Sequence, residues 1–259
     1  MTDAMSHPLL ETRDLSKHYG GVKALSGVDF NVGHHQTVAI VGDNGAGKST
    51  LVKLLSGADQ PDSGSIMFDG VELSFRTPTE ARQAGIETVY QNLALADDLD
   101  VVANLFLGRE EVVARLGPLS LLSLRKMRDK ARNMLGETGV QIEDLTEPMR
   151  SLSGGQRQGV AIARAAGWGS KLIIMDEPTA ALGVQETRHV EDMIRGLKGA
   201  GISVIIVSHN LRQVFDLVDV IWVLRHGRVA GNRNANEATF EDIIGLITGA
   251  TRASTQEFA

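Results

Sequence analysis

A glycine-rich segment that directly follows a short apolar run constrains this chain more than any other feature. TVAIV (residues 37–41) has the composition of a buried strand, and GDNGAGKST (residues 42–50) comes next. The segment satisfies GxxxxGKS, in which glycines let backbone N–H groups converge on phosphate oxygens at the start of a helix. The pattern therefore predicts a strand, a phosphate-binding loop and a helix. The predicted phosphate-binding residues are Gly42, Asp43, Asn44, Gly45, Ala46, Gly47, Lys48, Ser49 and Thr50.

Lys48 and Ser49 give this loop its expected chemistry. In loops of this pattern the lysine ammonium reaches the β and γ phosphates of a nucleotide, and the serine hydroxyl ligates Mg²⁺. A glycine-rich turn that only joins a strand to a helix is the alternative. A dinucleotide site is a weaker competitor, because the segment lacks the spacing GxGxxG and Lys48 would have no role in it.

Two adjacent acids, Asp176 and Glu177, end a second apolar run, LIIM (residues 172–175). In nucleotidases with a phosphate loop, an aspartate at the end of a neighbouring strand helps to hold Mg²⁺, and a second polar group positions the attacking water. We expect Asp176 to take the first role and Glu177 the second. Alone, such a pair would more often be loop acids that cap the next helix.

Composition excludes several classes of protein. The 259 residues fit one large α/β domain, and the net charge of -6 lacks the basic footprint of a nucleic-acid-binding protein. The absence of cysteine excludes disulfides and thiolate metal sites. The start of the sequence does not read as a secretion signal, and no apolar run approaches the roughly 20 residues that span a bilayer. We expect a soluble protein that reaches a membrane only through a partner.

The order of patterns along the chain predicts an α/β fold. Residues 8–75 read as short strands with one helix after the glycine-rich loop, which indicates a mixed sheet with an antiparallel portion. Thr77, Pro78 and Glu80 predict the start of a short helix with a capping box. From Asp100 to Gly139 the pattern is helical; the residues predicted to share one face are Leu124, Met127, Ala131, Met134 and Leu135.

Buried strands that alternate with amphipathic helices after residue 165 predict a parallel sheet covered on both faces. We therefore expect one domain over residues 8–250. Its core would span about 8–91 and 165–230, and its helical insertion about 92–164. Residues 1–7 and 251–259 are polar enough to be flexible tails.

A second anion site is indicated by LSGGQ (residues 152–156), which leads into a helix. A serine hydroxyl and successive glycine N–H groups at a helix start can bind an anion, although a glycine-rich helix start with no ligand is the alternative. One chain does not need two such sites for one γ-phosphate. Two sites make sense if two subunits meet head to tail and each completes the other's nucleotide site.

With these motifs in this order, the sequence resembles the nucleotide-binding subunit of an ATP-binding cassette (ABC) transporter over about residues 9–230. The resemblance implies a P-loop NTPase fold of ABC type, ATP and Mg²⁺ as ligands, and hydrolysis of ATP. It implies that Tyr19 stacks on adenine, that Gln91 contacts Mg²⁺ or water, and that His209 contacts the γ-phosphate. The signature residues that would face ATP on the opposite subunit are Ser153, Gly154, Gly155 and Gln156.

Within this family, the phrases SGADQPDSGSIMFDG and VSHN resemble the ATPases of bacterial monosaccharide importers, in a single-cassette form assigned to fructose-like sugars. The resemblance implies a second copy of the cassette, transmembrane permease subunits and, indirectly, a periplasmic sugar-binding protein. It implies a peripheral place on the cytoplasmic face of a bacterial membrane. We expect the helical insertion after Gln91, especially residues 103–108 with Asn104, Leu105 and Phe106, to dock the permease. A soluble ABC-type ATPase, or a regulatory ATP binder that is not coupled to import, is the alternative. The individual sugar does not follow from the sequence.

Gly183 departs from the family pattern. TAALG (residues 179–183) matches the D-loop, in which relatives usually have SALD or AALD, so that a glycine replaces the aspartate. One hypothesis is that the coupling between the two ATP sites of a dimer is loosened. The other is that Gly183 is only the start of a helix.

Overall fold

A computed structural model of the chain describes residues 7–116 and 119–250, without the side chains of residues 114–120. Both predicted flexible tails lie outside these residues, apart from His7. The strands are β1 (Leu10–Tyr19), β2 (Val22–Val32), β3 (Thr37–Val41), β4 (Ser63–Phe68), β5 (Val71–Leu73), β6 (Ile86–Val89), β7 (Val112–Leu116), β8 (Leu119–Leu122), β9 (Leu172–Asp176), β10 (Ser203–Val207), β11 (Val220–Arg225) and β12 (Arg228–Asn234). The helices are α1 (Lys48–Leu55), α2 (Pro78–Ala84), α3 (Val101–Phe106), α4 (Leu124–Glu137), α5 (Gly154–Ala166), α6 (Val184–Gly199), α7 (Leu211–Leu217) and α8 (Phe240–Thr248).

The strands form a mixed architecture. A six-stranded sheet has the order β12-β11-β3-β10-β9-β6, in which β12 alone is antiparallel to its neighbour. A separate four-stranded antiparallel sheet has the order β2-β1-β4-β5. The predicted parallel core with an antiparallel portion is confirmed. None of the described helices is long and apolar enough to cross a membrane.

Alternation along β3 shows how the central sheet is buried on both faces. Val38 and Ile40 belong to a core shared with α1 and the antiparallel sheet, whereas Ala39 and Val41 belong to a core shared with α3–α6. Successive side chains of a strand point to opposite faces, so an unbroken apolar strand requires cover on both sides. The apolar faces of α4 and α6 provide part of that cover.

Three details of the sequence-based prediction are wrong. The segment from Asp100 to Gly139 is not wholly helical, because β7 and β8 pair as an antiparallel hairpin within it. Gly117 and Pro118 between these strands are a turn signal that would have indicated the hairpin. Leu124 is 63% exposed, because it is the first residue of α4 and precedes the buried face. The Glu80 carboxylate accepts from the backbone N–H of Arg76 instead of that of Thr77, so only the Thr77 half of the capping box forms.

One ionic cluster ties the antiparallel sheet to the loop after α1. Lys17 Nζ donates to Asp59 Oδ1 at 2.8 Å, and the Tyr19 hydroxyl donates to Asp59 Oδ2 at 2.6 Å. The hydrogen bond from Lys17, followed by that from Tyr19, lowers the pKa of Asp59 from 3.8 to about 2. The ionised carboxylate therefore stabilises the folded state.

We predict that Asp59→Asn lowers the free energy of unfolding by about 1 kcal/mol at neutral pH, the upper range for a partly exposed pair. Because the folded pKa lies below the unfolded one, this contribution is complete above pH 3.8 and disappears as the pH falls towards about 2. Urea unfolding of both proteins across this range measures it. Asp129→Asn, which removes an exposed ion pair with Arg132, is the control. A wild-type-minus-variant difference that stays constant from pH 4 to pH 2 contradicts the prediction.

Candidate functional site

Parallel pairing brings three loop starts to one edge of the central sheet. Val207 is in register with Ile40 of β3 on one side and with Asp176 of β9 on the other. Each strand therefore ends at nearly the same level, and the loops that follow begin there. The predicted loop at Gly42 and the predicted acids Asp176 and Glu177 consequently share this carboxyl edge.

The loop between β3 and α1 needs glycine at two positions. Gly42 has φ 148°, and a Cβ atom there would lie 2.1 Å from the backbone oxygen of Leu224. Gly47 has φ 108°, and its Cβ would lie 2.7 Å from Leu25 Cδ2. The Gly47 Cβ would also lie 2.8 Å from the backbone oxygen of Ala24, so the backbone of β11 and of β2 requires glycine at these two positions.

Lys48 lies across the loop that precedes it. Its Nζ donates to the backbone oxygens of Gly42 at 2.6 Å and Asp43 at 3.0 Å. Burial lowers the pKa of Lys48, and the nearby charges of Glu177, Asp43 and Asp176 oppose that shift. The N-terminus of α1 adds backbone donors and the positive end of its dipole, so this region favours an anion.

Glu177 and His209 form a hydrogen-bonded pair beside Asp176. His209 Nδ1 lies 2.8 Å from Glu177 Oε1, and Glu177 has the left-handed φ of 52° that turns it away from the strand direction. Burial, followed by the charge of Glu177, raises the pKa of Asp176. The result is a half-buried carboxylate that favours a nearby cation and a second carboxylate with a polar partner.

These groups line one cavity of about 530 Å³. The predicted residues among its walls are Asn44, Gly45, Ala46, Gly47, Lys48, Ser49, Thr50, Gln91, Asp176, Glu177 and His209. Gly42 and Asp43 support it through the oxygens that hold Lys48. Prediction from sequence missed Val22, Lys23, Ala24 and Val207. The signal for the first three was their place in the strand that pairs with Tyr19.

Tyr19 is adjacent to the cavity but is not part of its wall. The residue is 44% exposed, and it is paired with Val22 of β2. Because Val22 lines the cavity, Tyr19 lies next to a residue of the cavity wall. Stacking of the Tyr19 ring on an adenine stays a prediction.

The LSGGQ segment lies apart from this cavity. Ser153 caps α5, its Oγ accepting from the N–H of Gln156 at 3.2 Å while Gln156 Oε1 accepts from the N–H of Ser153 at 3.0 Å. None of Ser153, Gly154, Gly155 and Gln156 is among the cavity residues in the described part of the chain. A single chain therefore does not bring the two predicted anion sites together.

Gly183 is the residue before α6 and is joined to LSGGQ by Glu186. The Glu186 carboxylate accepts from the N–H of Gly183 at 3.0 Å and from the N–H of Gly155 at 3.4 Å. These backbone bonds, that of Gly183 first, lower the pKa of Glu186. Gly183 has an ordinary extended backbone, with φ −69° and ψ 168°.

A family model described as ABC transporter matches residues 25–180, which include the loop, the LSGGQ segment and the two acids. The chain belongs to the ABC transporter family. It is 45% identical over 97% of its length to the "Fructose import ATP-binding protein FrcA" of Rhizobium meliloti, of which 98% is covered. It is 43% identical over 93% of its length to the "Xylose/arabinose import ATP-binding protein XylG" of Sulfolobus acidocaldarius, of which 94% is covered.

Solved structures support the fold of this ABC cassette. An ATP-binding cassette of an ABC transporter in its ADP conformation superposes with a TM-score of 0.77 at 25% identity, covering 94% of this chain and 96% of that one. A dimeric cassette bound to ADP and phosphate superposes with a TM-score of 0.73 at 25% identity, covering 87% and 98%. The predicted family and fold class are confirmed, and the individual roles of the site residues stay predictions.

Gly183→Asp tests the hypothesis that the missing D-loop acid loosens coupling between two ATP sites. A Cβ at this position would meet only Glu186 Oε2, at 3.5 Å, so the variant should fold and melt as the wild type does. We expect a higher Hill coefficient for ATP in steady-state ATPase assays. Gly196→Asp, at an open position of the same helix, is the control. If the ATPase rate and the cooperativity for ATP were unchanged, the role of Gly183 would be only to begin α6.

Proposed function

We propose that this chain is the ATP-hydrolysing subunit of an importer of a simple sugar, of the fructose or ribose type, and that it works as a homodimer with membrane-spanning permease subunits. The observation that carries the proposal is that Lys48, Asp176, Glu177 and His209 line the same cavity. The names of the relatives, which include fructose and xylose/arabinose import proteins, support the sugar class. A ribose import protein of Rubrobacter xylanophilus is 39% identical over 93% of this chain, which covers 47% of that protein.

The donor set of the cavity fits a nucleoside triphosphate. Lys48 neutralises phosphate charge, the N–H groups of the loop and of α1 donate hydrogen bonds to phosphate oxygens, and the half-buried Asp176 carboxylate favours a cation. Ser49, Gln91 and Asp176 would hold Mg²⁺, which supplies charge neutralisation to the phosphates. The cavity offers oxygen ligands, the type that Mg²⁺ prefers.

Glu177 acts on the attacking water in this proposal. Its Oε1 is 2.8 Å from His209 Nδ1. This hydrogen bond orients the carboxylate and leaves Oε2 of Glu177 to accept a proton from the water. His209 is 77% exposed on its side chain and can contact the γ-phosphate as the cavity closes. Positioning and charge stabilisation then account for the hydrolysis, as in other phosphoryl transfers.

The separation of LSGGQ from the cavity supports a head-to-tail dimer. Ser153 and the N-terminus of α5 would complete the nucleotide site of the partner subunit. Nucleotide would thus join two cassettes, and hydrolysis would release them. Such a closing and opening element can drive a membrane partner.

A groove next to the nucleotide cavity suits the membrane partner. Its volume is about 310 Å³, and its walls include Tyr90, Leu107, Arg109, Arg164 and Trp168. Leu107 is 52% exposed, and Arg109 pairs with Glu87 at the wall. The groove therefore combines an exposed apolar side chain with charged groups, as a docking site for a permease segment would.

The segment from Tyr90 to Ala94 connects the groove to the nucleotide cavity. Tyr90 and Ala94 line the groove, while Gln91 lines the cavity. Leu93 and Ala94 have left-handed φ angles of 56° and 47°, and the Arg164 guanidinium donates to both of their oxygens at 3.0 Å. A displacement of the backbone at Gln91 would consequently displace its neighbours Tyr90 and Ala94 in the wall of the groove.

The sequence also predicts docking by residues 103–108, especially Asn104, Leu105 and Phe106. The structure contradicts this part, because these three side chains are between 0% and 1% exposed. Asn104 instead joins backbone groups of Ala96 and neighbouring residues inside the fold. Within that segment the exposed side chain is Leu107.

The subunit would be peripheral at the cytoplasmic face of a bacterial membrane, held there by the permease. An external sugar-binding protein would deliver the substrate to that permease. A regulatory ATP binder, or a soluble ABC-type ATPase without a permease, is the competing function. Hydrolysis of ATP distinguishes the proposed subunit from a regulatory ATP binder, and stimulation of that hydrolysis by a permease distinguishes it from a soluble ATPase.

We predict that Glu177→Gln keeps ATP binding and lowers the ATPase rate by about 10²- to 10⁴-fold, the range for loss of a general base. The amide preserves a hydrogen bond with His209 but cannot take a proton. Radiolabelled ATP binding and phosphate release measure the two properties. Glu191→Gln, at a glutamate that bonds Gln213 outside the cavity, is the control. A variant that hydrolyses ATP at the wild-type rate would remove Glu177 from the mechanism.

We predict that Leu107→Glu weakens co-purification with a co-expressed permease of a simple-sugar importer and lowers sugar-stimulated ATPase activity in proteoliposomes. The basal ATPase of the isolated cassette should stay unchanged, because Leu107 is absent from the cavity wall. Val71→Glu, at a 59% exposed apolar residue of β5, is the matched control. Full assembly and coupling in the Leu107 variant would argue against this groove as the docking site.

A further inference from the structure

A cluster of His7, His34 and Asp69 lies outside the nucleotide cavity. One candidate ligand atom from each residue lies within 4.8 Å of the other two. The three come from the segment before β1, the β2–β3 loop and the β4–β5 turn. None of them lines the nucleotide cavity. His34 precedes β3 and Gly42 follows it, so the length of β3, about 16 Å, separates the cluster from the phosphate loop.

His34 Nε2 is the least explained atom of this cluster. It is buried from solvent and has no hydrogen-bond partner in the described ranges. A buried polar atom without a partner carries a desolvation cost, which a bound ligand would remove. The rings of His7 and His34 lie 5.9 Å apart at the centroids, tilted by 55°.

The surroundings of His7 orient it as a ligand. His7 Nδ1 lies 3.2 Å from the oxygen of Pro8, which suits a ring protonated at Nδ1 and leaves the Nε2 lone pair free. Histidine ligands commonly use their second nitrogen in this way. His7 Nε2 approaches Gly70, where a Cβ would lie 3.2 Å from it. The glycine therefore permits the imidazole to lie over the turn.

Asp69 has an ordinary structural role as well as an available oxygen. Asp69 and Gly70 have φ angles of 52° and 78° and join β4 to β5, as an Asp-Gly hairpin turn does. Lys171 Nζ pairs with Asp69 Oδ2, which leaves Oδ1 for a second partner. The turn explains the aspartate and the lysine, but it does not explain two imidazoles with free nitrogens beside them.

We propose that His7, His34 and Asp69 bind a zinc ion that fastens the segment before β1 to the antiparallel sheet. Two imidazoles and a carboxylate suit Zn²⁺, whereas Mg²⁺ and Ca²⁺ prefer oxygen ligands. Bonds of about 2.0–2.1 Å require the ligand atoms to approach to about 3.3 Å. His7 is exposed and can move by that amount. Water completes the coordination.

The test is a titration of the untagged full chain with Zn²⁺, without nucleotide and with excess Mg²⁺. We expect about one equivalent to bind by calorimetry, Co²⁺ to give the visible absorption of a tetrahedral site, and Zn²⁺ to raise the melting temperature. His34→Ala, His7→Ala and Asp69→Asn should each weaken binding by at least about tenfold. Asn suits the left-handed turn position, so Asp69→Asn removes the carboxylate without removing the turn.

Two further variants sharpen the result. Lys171→Met should tighten Zn²⁺ binding, because it removes a positive charge beside the site. His18→Ala, at a histidine that lies 3.1 Å from Asp62 Oδ2 in a separate pair, should leave binding unchanged. The proposal is overturned if the wild type binds no zinc, or if the three ligand variants bind it as tightly as the wild type. Zinc held by the nucleotide cavity would give that second outcome.

Discussion

Parallel backbone pairing of β3, β9 and β10 determines where the loop at Gly42, the adjacent acids Asp176 and Glu177, and His209 lie in this ABC cassette. Strands that run in the same direction and in register must end at one edge, so the loops after them meet there. The phosphate loop, the two acids and the histidine come from segments far apart in the sequence. They share a cavity because of that pairing. Apolar cores on both faces of β3 hold the edge in place, and the backbone of β11 then excludes any side chain at Gly42.

Much of the fold and of the site followed from the sequence because local patterns and distant pairings agreed. The glycine-rich loop has one compatible strand-loop-helix geometry, and apolar strands without alternation require a covered parallel sheet. Asp176 was predictable because it ends such a strand. The resemblance to the family added Tyr19, Gln91 and His209, whose residue types alone carry no assignment.

Other features were missed because their local signals are ambiguous or because they depend on tertiary context. The apolar run at residues 112–122 suits a helix or a hairpin, and only the Gly-Pro step between its halves favours the hairpin. Asn104, Leu105 and Phe106 resemble a contact surface until α4 and α5 cover them. The groove beside Leu107 is built from β6, α3 and α5 together, so its shape appears only when these elements pack. The pairing of His7 with His34 likewise needs the fold.

The Glu186 carboxylate joins α5 to α6 by accepting from Gly155 and Gly183, and these two glycine positions tolerate substitution unequally. Its bonds to Gly183 and Gly155 use main-chain N–H groups, which every residue except proline supplies. Residues larger than glycine can therefore occupy position 183 and still donate their backbone N–H to Glu186. Position 155 is less tolerant, because a Cβ there would lie 3.0 Å from Glu186 Cβ and Glu186 would have to shift. Packing against Glu186 of the same chain thus constrains Gly155 of LSGGQ, independently of a second subunit or a nucleotide.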